Sequence, residues 1–524
     1  MSYTVIKVCM KPFTKIQPFL TIIIFAAVIL LFSQGFTGNK TSFLRVNGDE
    51  IIDGEGNSVM LRGFNISFKD FRDVLGEKDI RNIADSGANS IRLVMDFRQF
   101  ESAPFIYNQD SFSLLVSILD WCEKYGVYVI LDMHLAPGIQ NSHDFVVHRE
   151  RSYEFWKKRE YQERFYALWA EIARRYAGRT IIAGYDLLNE GAPPGAEEYR
   201  RVMNSAANAV RSFDKNHILI VEEAILPDWR KELISIDDRN TLYSIHFFYP
   251  PQFTFHTTTT ERAITTYPGE MATHGEKIGE TRTASVTGNN EWKKIGIKAA
   301  PPDEAEILVV TISSEGNTGT VWFDDVSLEK DGLPMDLPAP LVPNNSFEVD
   351  YPGINWNTRG SGVVVTEKTS RTGSCSLAFS RCSTAAAAQS SPIEARKGNY
   401  SLTAWVRSEG ATGDNYLSLS WHKRRILQRV DGNALTENLL YALRFKSRYH
   451  VPIYIGEFTA HANPSSGSAL RYLRDLIGIM RQEGLHWSYW TYYSEYPGIG
   501  IYTGNPSRLS RPEEMELLKR EMGQ

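Results

Sequence analysis

Ile182-Ala183-Gly184-Tyr185-Asp186-Leu187-Leu188-Asn189-Glu190 is a short apolar run that ends on an amide and an acid. On either side, apolar residues recur at helical spacing, over Glu154–Tyr176 before it and Glu197–Phe213 after it. A short strand between two helices is the repeating unit of a parallel sheet covered by helices. The unit recurs outward in both directions. Strands are expected at Val59–Phe64, Ser90–Val94, Tyr128–Asp132, Ile182–Leu187, Ile218–Val221 and Leu242–His246, with a further helix at Ser111–Tyr125. A hairpin, Phe43–Val46 with Glu50–Ile52, turns at Asn47-Gly48 ahead of them.

Six strands do not close a barrel. Two more stand at the far end, Ile453–Glu457 and His486–Trp490, the first led by a helix at Thr436–Tyr449. The expectation is a (β/α)8 TIM barrel of roughly 330 residues. From Pro268 to Trp421 the chain is instead rich in Thr, Ser, Gly and Asn. Its strands lack intervening helical spacing: Trp292–Ala299, Glu306–Ser313, Thr320–Glu329, Ser376–Ser380, Tyr400–Arg407 and Tyr416–Trp421. That pattern predicts an all-β sandwich inserted between barrel strands 6 and 7. The expected parts are an export segment at 1–36, a barrel at 37–267 with 423–524, and the insert at 268–422.

In the export segment Lys7, Lys11 and Lys15 precede an apolar run, Phe19–Phe32, followed by Ser33-Gln34-Gly35. This is the order of a signal peptide, and small residues stand where a peptidase reads. The run is short for a membrane span. It reads as a cleaved signal peptide, with a retained N-terminal anchor as the second reading and a buried core helix as the third. On the first two, the remainder is exported: secreted, periplasmic or at the cell surface. The net charge of −5 comes without a basic block, so no nucleic-acid partner is expected, and a monomer is. Cys122 lies in the apolar stripe of a helix; Cys375 and Cys382 are close in sequence, but spacing alone does not pair them. No Cys/His cluster has zinc spacing.

In a TIM barrel the site lies at the C-terminal ends of the strands. Strand 2 carries Arg92, strand 3 ends in Asp132-Met133-His134, and strand 4 runs out into Asn189-Glu190. Strand 6 ends at His246 with Tyr249 beyond, strand 7 at Glu457 and strand 8 at Trp490. Strands 4 and 7 lie nearly opposite each other, so Glu190 and Glu457 face across the pocket. Cleaving a glycosidic bond with retention uses two carboxyl groups in this relation. One protonates the leaving oxygen, its pKa raised by the charge of the other; the second attacks the anomeric carbon. Arg92 is placed to keep the nucleophile ionised. Asn189 is placed to bond a hydroxyl beside it. His134, His246 and Tyr249 are further donors, and Trp490 is a flat face for a pyranose. Singly, each has a blander reading: a loop salt bridge for either Glu, a packing arginine, a structural histidine, a core Trp. Their joint order on successive strands favours the site. Glu222 and Glu223 after strand 5 are weaker candidates.

These segments resemble glycoside hydrolase family 5, the cellulase-like retaining enzymes. The resemblance rests on Leu61-Arg62-Gly63-Phe64-Asn65, Ser90-Ile91-Arg92-Leu93, Leu131-Asp132-Met133-His134, Tyr185–Glu190, Ser244-Ile245-His246-Phe247-Phe248-Tyr249 and Ile455-Gly456-Glu457-Phe458. It covers about 43–255 and 435–505. It implies Glu190 as acid/base, Glu457 as nucleophile, no cofactor for the chemistry, and a polysaccharide or oligosaccharide substrate. The first substrate expectation is β-1,4-glucan, with β-1,3-glucan, mannan and other β-glycosides as alternatives. A glycan-binding protein without catalysis is the rival of another class. Gly191 departs from the family's frequent proline and is expected to loosen that loop.

The insert resembles carbohydrate-binding modules of the jelly-roll type. Val321–Glu329 looks like their closing strand, and Asn344-Asn345-Ser346-Phe347-Glu348 like the opening one. Gly373–Leu377 and Tyr400–Val406 look like strands that follow the opening one. The closing strand comes first here, which implies a circular permutation with Lys330–Val342 joining the old ends. The resemblance implies a structural calcium, with Glu348 and Asp324 as ligands. Trp292, Trp322, Trp356, Trp405 and Trp421 are available for glycan stacking or for core.

Overall fold

A computed structural model of the chain describes residues 42–523 apart from 142–153, 228–229, 255–261, 264–265, 336–346, 348–355, 391, 461–465 and 496–498. The export segment lies outside the described residues. Among those residues no helix is long and apolar enough to cross a membrane.

Eight parallel strands close into a barrel: Arg62–Ser67, Ser90–Asp96, Tyr128–Leu135, Ile182–Asp186, Ile218–Glu222, Thr241–Phe247, Ile453–Phe458 and His486–Tyr489. The last pairs with the first through Trp487 and Arg62, so no strand edge is left open. Strand 1 starts at Arg62, later than Val59. Residues 59–61 instead carry the chain up from the hairpin, and the Leu61 N–H is bonded to His486 Nδ1 at 3.1 Å. The hairpin pairs Arg45–Asn47 with Glu50–Ile52. Its Leu44 and Ile51 pack with Leu61, Ile130, Ile218, Ile220 and Leu242 to fill the floor of the barrel.

Helices Gln109–Tyr125, Arg159–Tyr176, Ala196–Arg211, Gly432–Tyr449, Ser466–Gln482 and Pro512–Met522 cover the outside. Their apolar stripes join one core with the outward faces of the strands, including Leu115, Cys122, Trp169 and Leu473. Burial of an aliphatic side chain contributes about 1.5–3 kcal/mol. The Trp169 indole N–H also donates to Leu187 O at 3.0 Å, which ties a helix to the exit of strand 4. The strand–helix repeat lapses once. Among the described residues no helix joins strands 5 and 6. A small hairpin, Ala224–Ile225 with Lys231–Glu232, stands there instead.

Between barrel strands 6 and 7 the chain forms two antiparallel sheets. One runs Arg262–Ala263, Gly269–Arg282, Asp414–Val430, Ile307–Glu315, Ala386–Ser390 and Trp356–Arg359. The other runs Gly288–Ala299, Tyr400–Ala411, Thr320–Lys330, Ser376–Ser380 and Val363–Thr366. Their facing side chains share a second core of Leu308, Val310, Phe323, Phe379, Leu402 and Leu419, among others. The ribbon at its root is longer than the pattern predicts. Gly269 pairs with Val430, beyond the expected boundary at 422. Tyr267, Met271 and Val430 belong to the core of the barrel.

Cys375 and Cys382 are not joined in a disulfide. Asp324 is buried, and its carboxylate accepts the backbone N–H groups of Arg371 at 2.6 Å, Asp325 at 2.8 Å and Thr372 at 3.3 Å. Those donors bond both of its oxygens. The other expected calcium ligand, Glu348, lies outside the described residues, as does the opening strand near Asn344 save for buried Phe347. Trp322 and Trp421 are buried as core-like side chains.

Candidate active site

Arg92 stands on strand 2 with its side chain fully buried in the barrel. All five N–H bonds of its guanidinium are used. Nε donates to Asp186 at 2.8 Å; Nη1 donates to Asn65 at 3.1 Å and to Glu457 at 2.8 Å. Nη2 donates to Asn189 at 3.0 Å and to Glu222 at 2.6 Å, and lies 3.0 Å from Asp132. Planar fork geometry is what lets one side chain serve so many acceptors. The expected pairing of Arg92 with Glu457 is thus one arm of a larger hub. Asn65 steadies it from strand 1, donating Nδ2 to Gly456 O at 2.9 Å.

Above the hub lies the pair of glutamates. One carboxylate oxygen of Glu190, one of Glu457 and a ring nitrogen of His246 all fall within 4.8 Å of one another. His246 Nδ1 is 2.9 Å from Glu190 Oε1 and 3.7 Å from Glu457 Oε2, and Nε2 is 3.2 Å from Glu222. Gly456 makes room for that ring. A Cβ there would sit 2.7 Å from Ser244 Oγ and 3.0 Å from His246 Nε2. His134 Nδ1 is 2.8 Å from Asp132 and 4.0 Å from Glu457, and its ring stacks on Trp490 at 5.7 Å between centroids. Tyr249 sits where barrel and ribbon meet. Its hydroxyl accepts from Gln428, and its carbonyl accepts from Tyr472 at 2.8 Å.

Glu190 has φ 43°, in the left-handed region. Such backbone persists only when its surroundings hold it. Here the Glu190 N–H donates to Glu222 at 2.8 Å, while Asn141 Nδ2 donates to Glu190 O at 3.0 Å. Gln140 Nε2 donates to Asn189 O at 2.9 Å. Gly191 is closely packed: a Cβ there would meet Tyr199 at 3.1 Å, Leu188 at 3.2 Å and Trp156 at 3.3 Å. Gln140, Asn141 and the full role of Glu222 were not legible in the motifs. For Glu222 the signal was its place at the end of strand 5. For the two amides there was none beyond their place in the loop after strand 3.

The electrostatics follow from burial. Desolvation pushes Asp132 up to about 8, against the pull of Arg92, and holds Asp186 well above the carboxylate range. Glu222 is desolvated too, but His246 and Arg92 overcome this and bring it down to about 2. Burial raises Glu457, opposed by His246, Arg92 and His134. His246 is desolvated, yet Glu222, Glu457 and Glu190 raise it well above the usual imidazole range. Arg92 and His246 are the cations that oppose desolvation of Glu222 and Glu457. Asp132, Asp186 and Glu222 are close enough together to suggest a metal cradle, but the guanidinium of Arg92 already supplies the cation among them.

The model of the cellulase family, glycosyl hydrolase family 5, matches residues 52–294. That span includes Glu190 but not Glu457, which the closure of the barrel brings to the site. Endoglucanase C of Acetivibrio thermocellus is 32% identical over 188 residues, 35% of this chain and 53% of that protein. A beta-xylosidase of Phanerodontia chrysosporium is 28% identical over 245 residues, 39% of this chain and 52% of that protein. The chain thus spans about half the length of the curated relatives it matches. Among solved structures, endoglucanase Cel5A of Thermotoga maritima aligns with TM-score 0.47 and 15% identity, covering 88% of this chain and 96% of that chain. Over residues 52–294 the chain is thus similar to the cellulase-like enzymes of glycosyl hydrolase family 5, and it carries their glutamates on a closed barrel of eight parallel strands.

Proposed function

We propose that this barrel is a retaining β-glycoside hydrolase acting on β-1,4-glucan, with Glu190 as acid/base and Glu457 as nucleophile. The observation that carries the reading is the meeting of the two carboxylates within 4.8 Å, joined by His246. Retaining enzymes hold their pair about 5–5.5 Å apart, whereas inverting enzymes leave room for a water at about 6.5–9.5 Å. Arg92 holds the Glu457 oxygen at 2.8 Å and favours its ionised, attacking form. Glu190 gives its proton to the glycosidic oxygen as the bond breaks. It then takes a proton from the water that releases the glycosyl-enzyme. Asn189 lies beside the nucleophile for a sugar hydroxyl, and the stacked Trp490 and His134 form a flat wall for a pyranose. This chemistry uses no cofactor.

Glucan is favoured because relatives carry the name endoglucanase; β-1,3-glucan, mannan and xyloside are the alternatives on the same barrel. The two-sheet segment acts, on this reading, as a permuted jelly roll of the carbohydrate-binding type that walls the cleft or holds a glycan. The contact between Gln428 and Tyr249 supports that placement. Export through the first 36 residues and a monomeric state complete the proposal.

Glu457→Gln should abolish turnover on every substrate. Glu190→Ala should keep glycosylation by activated aryl glycosides, and azide should restore turnover with retained configuration. An inverted product from the wild type, read by the anomeric proton signals of fresh product, would overturn the mechanism.

A further inference from the structure

Glu222 occupies an unusual position. It is the last residue of strand 5 and only 1% exposed, yet it offers both oxygens to parts of the candidate site. Oε2 accepts the backbone N–H of Glu190 at 2.8 Å. Oε1 accepts Arg92 Nη2 at 2.6 Å and lies 3.2 Å from His246 Nε2. His246 Nδ1, on the far side of the ring, is 2.9 Å from Glu190 Oε1. The imidazole therefore stands between a carboxylate, with which it is ion-paired, and a carboxyl, to which it is hydrogen-bonded, and the carboxylate also fixes the backbone of the carboxyl residue. Glu222 is drawn to the ionised form by His246 and Arg92 despite its burial, so it is an acceptor only. A carboxylate charge 3.2 Å from Nε2 favours a proton on that nitrogen and leaves Nδ1 to share the second proton with Glu190.

We infer that Glu222 is a positioning residue for the acid step, holding His246 with Nε2 protonated so that the acid proton is stored in the Glu190–His246 hydrogen bond. This rests on the two-glutamate reading above. In glycosylation the proton leaves that bond for the glycosidic oxygen, and Glu190 remains as carboxylate. In deglycosylation the attacking water returns one proton to the same bond. The Nε2 proton stays throughout. Other titratable groups face His246 as well: Glu457 from strand 7 and Asp132 from strand 3. At its backbone, Glu223 Oε1 accepts the N–H at 3.3 Å, and Lys231 Nζ donates to the carbonyl at 3.1 Å. Among these, Glu222 is the carboxylate that reaches both the ring and the Glu190 backbone.

The test is the pH dependence of kcat/KM for Glu222→Gln on two substrates. One is a cellooligosaccharide, whose leaving group needs a proton. The other is a dinitrophenyl glycoside, whose leaving group does not. An amide can accept at only one of its two ends, and the charge is gone. The alkaline limb on the cellooligosaccharide should fall by about one pH unit or more, the scale on which a neighbouring charge displaces a titration. On the dinitrophenyl glycoside the alkaline limb should stay at its wild-type position. Equal losses on both substrates with unmoved limbs would overturn the inference and leave Glu222 as a packing residue. Glu222→Asp keeps the charge but withdraws it from the Glu190 N–H, so it should lower kcat while the limb stays near the wild type. A limb moved as far as in Glu222→Gln would equally overturn the inference, and this variant decides the matter if the Gln variant does not fold. Failure of the two-glutamate reading looks different: the wild type gives no retained product, or Glu457→Gln remains active.

Discussion

Replacing Arg92 with methionine removes one cation from among four carboxyl groups and takes a donor from each of five acceptors. The cost can be sized from the groups it holds. Glu222 falls from an ordinary value of 4.5 to about 2 under the joint pull of His246 and Arg92 against desolvation. That difference corresponds to ~3 kcal/mol of folded-state preference for the ionised form. Breaking a buried ion pair by removing one partner costs about 3–5 kcal/mol, which sets the same scale. The sign in pH follows. A carboxylate whose folded pKa is depressed contributes stability that is present above its unfolded pKa and lost as pH falls through the folded value. The variant forfeits the part of that contribution that Arg92 supplies, while His246 keeps its own. Its deficit against the wild type should therefore be full at pH 7 and shrink as pH falls below about 4.5, toward the folded pKa of Glu222. Glu457 also loses one of the charges that oppose its desolvation, so the acid limb of activity should move to higher pH. Urea unfolding followed by tryptophan fluorescence at pH 7 and near pH 4, with a pH–rate profile, measures both. Arg92→Lys should fall between, since an ammonium brings the charge but only three donors. A variant within about 1 kcal/mol of the wild type at pH 7, no larger than a surface pair contributes, with the acid limb unmoved, would refute Arg92 as the electrostatic hub.

Gly456→Ala would set a Cβ 2.7 Å from Ser244 Oγ and 3.0 Å from His246 Nε2. It should cost about 1–3 kcal/mol of stability and, by displacing the ring, lower kcat by ~10-fold or more with the fold intact by circular dichroism. Replacing 275–424 with a Gly/Ser linker should leave a folded barrel active on a small aryl glycoside and altered on polymer. Replacing 268–430 should not, because it also removes Met271 and Val430 from the barrel core, about 1.5–3 kcal/mol each; thermal melts of the two deletions make the comparison.

Much of the barrel was legible because its elements are local. The apolar run Ile182–Leu187 between two helical stretches reads as a buried parallel strand, and the structure has a strand at Ile182–Asp186. The ribbon was harder. Gly269–Arg282 alternates weakly and is largely exposed at its outer end, so little apolar patterning marks it as a strand. What defines it is pairing with Asp414–Val430, a partner far away in sequence. Glu222 and Glu223 show the same limit at single-residue scale. Neighbours on a strand point to opposite faces, and nothing in a Glu-Glu pair says which turns inward. Closure of the barrel gives Glu222 to Arg92 and His246, and gives Glu223 to Lys231 at 2.6 Å and to Tyr441.

The sequence by itself determined the eight strands, the polar residues at their ends, and the break in pattern after strand 6, because each is a property of periodicity over a few residues. Tertiary structure alone decided that Arg92 would be a hub with no spare N–H, that His246 would join Glu190 to Glu222, and that Tyr249 would meet Gln428 of the ribbon. It also decided that Cys375 and Cys382 would not be joined in a disulfide. Those contacts depend on how strands tilt and stagger when a sheet closes on itself. That is a global constraint, which places side chains from distant segments within ångströms and leaves no trace in the local pattern of any one of them.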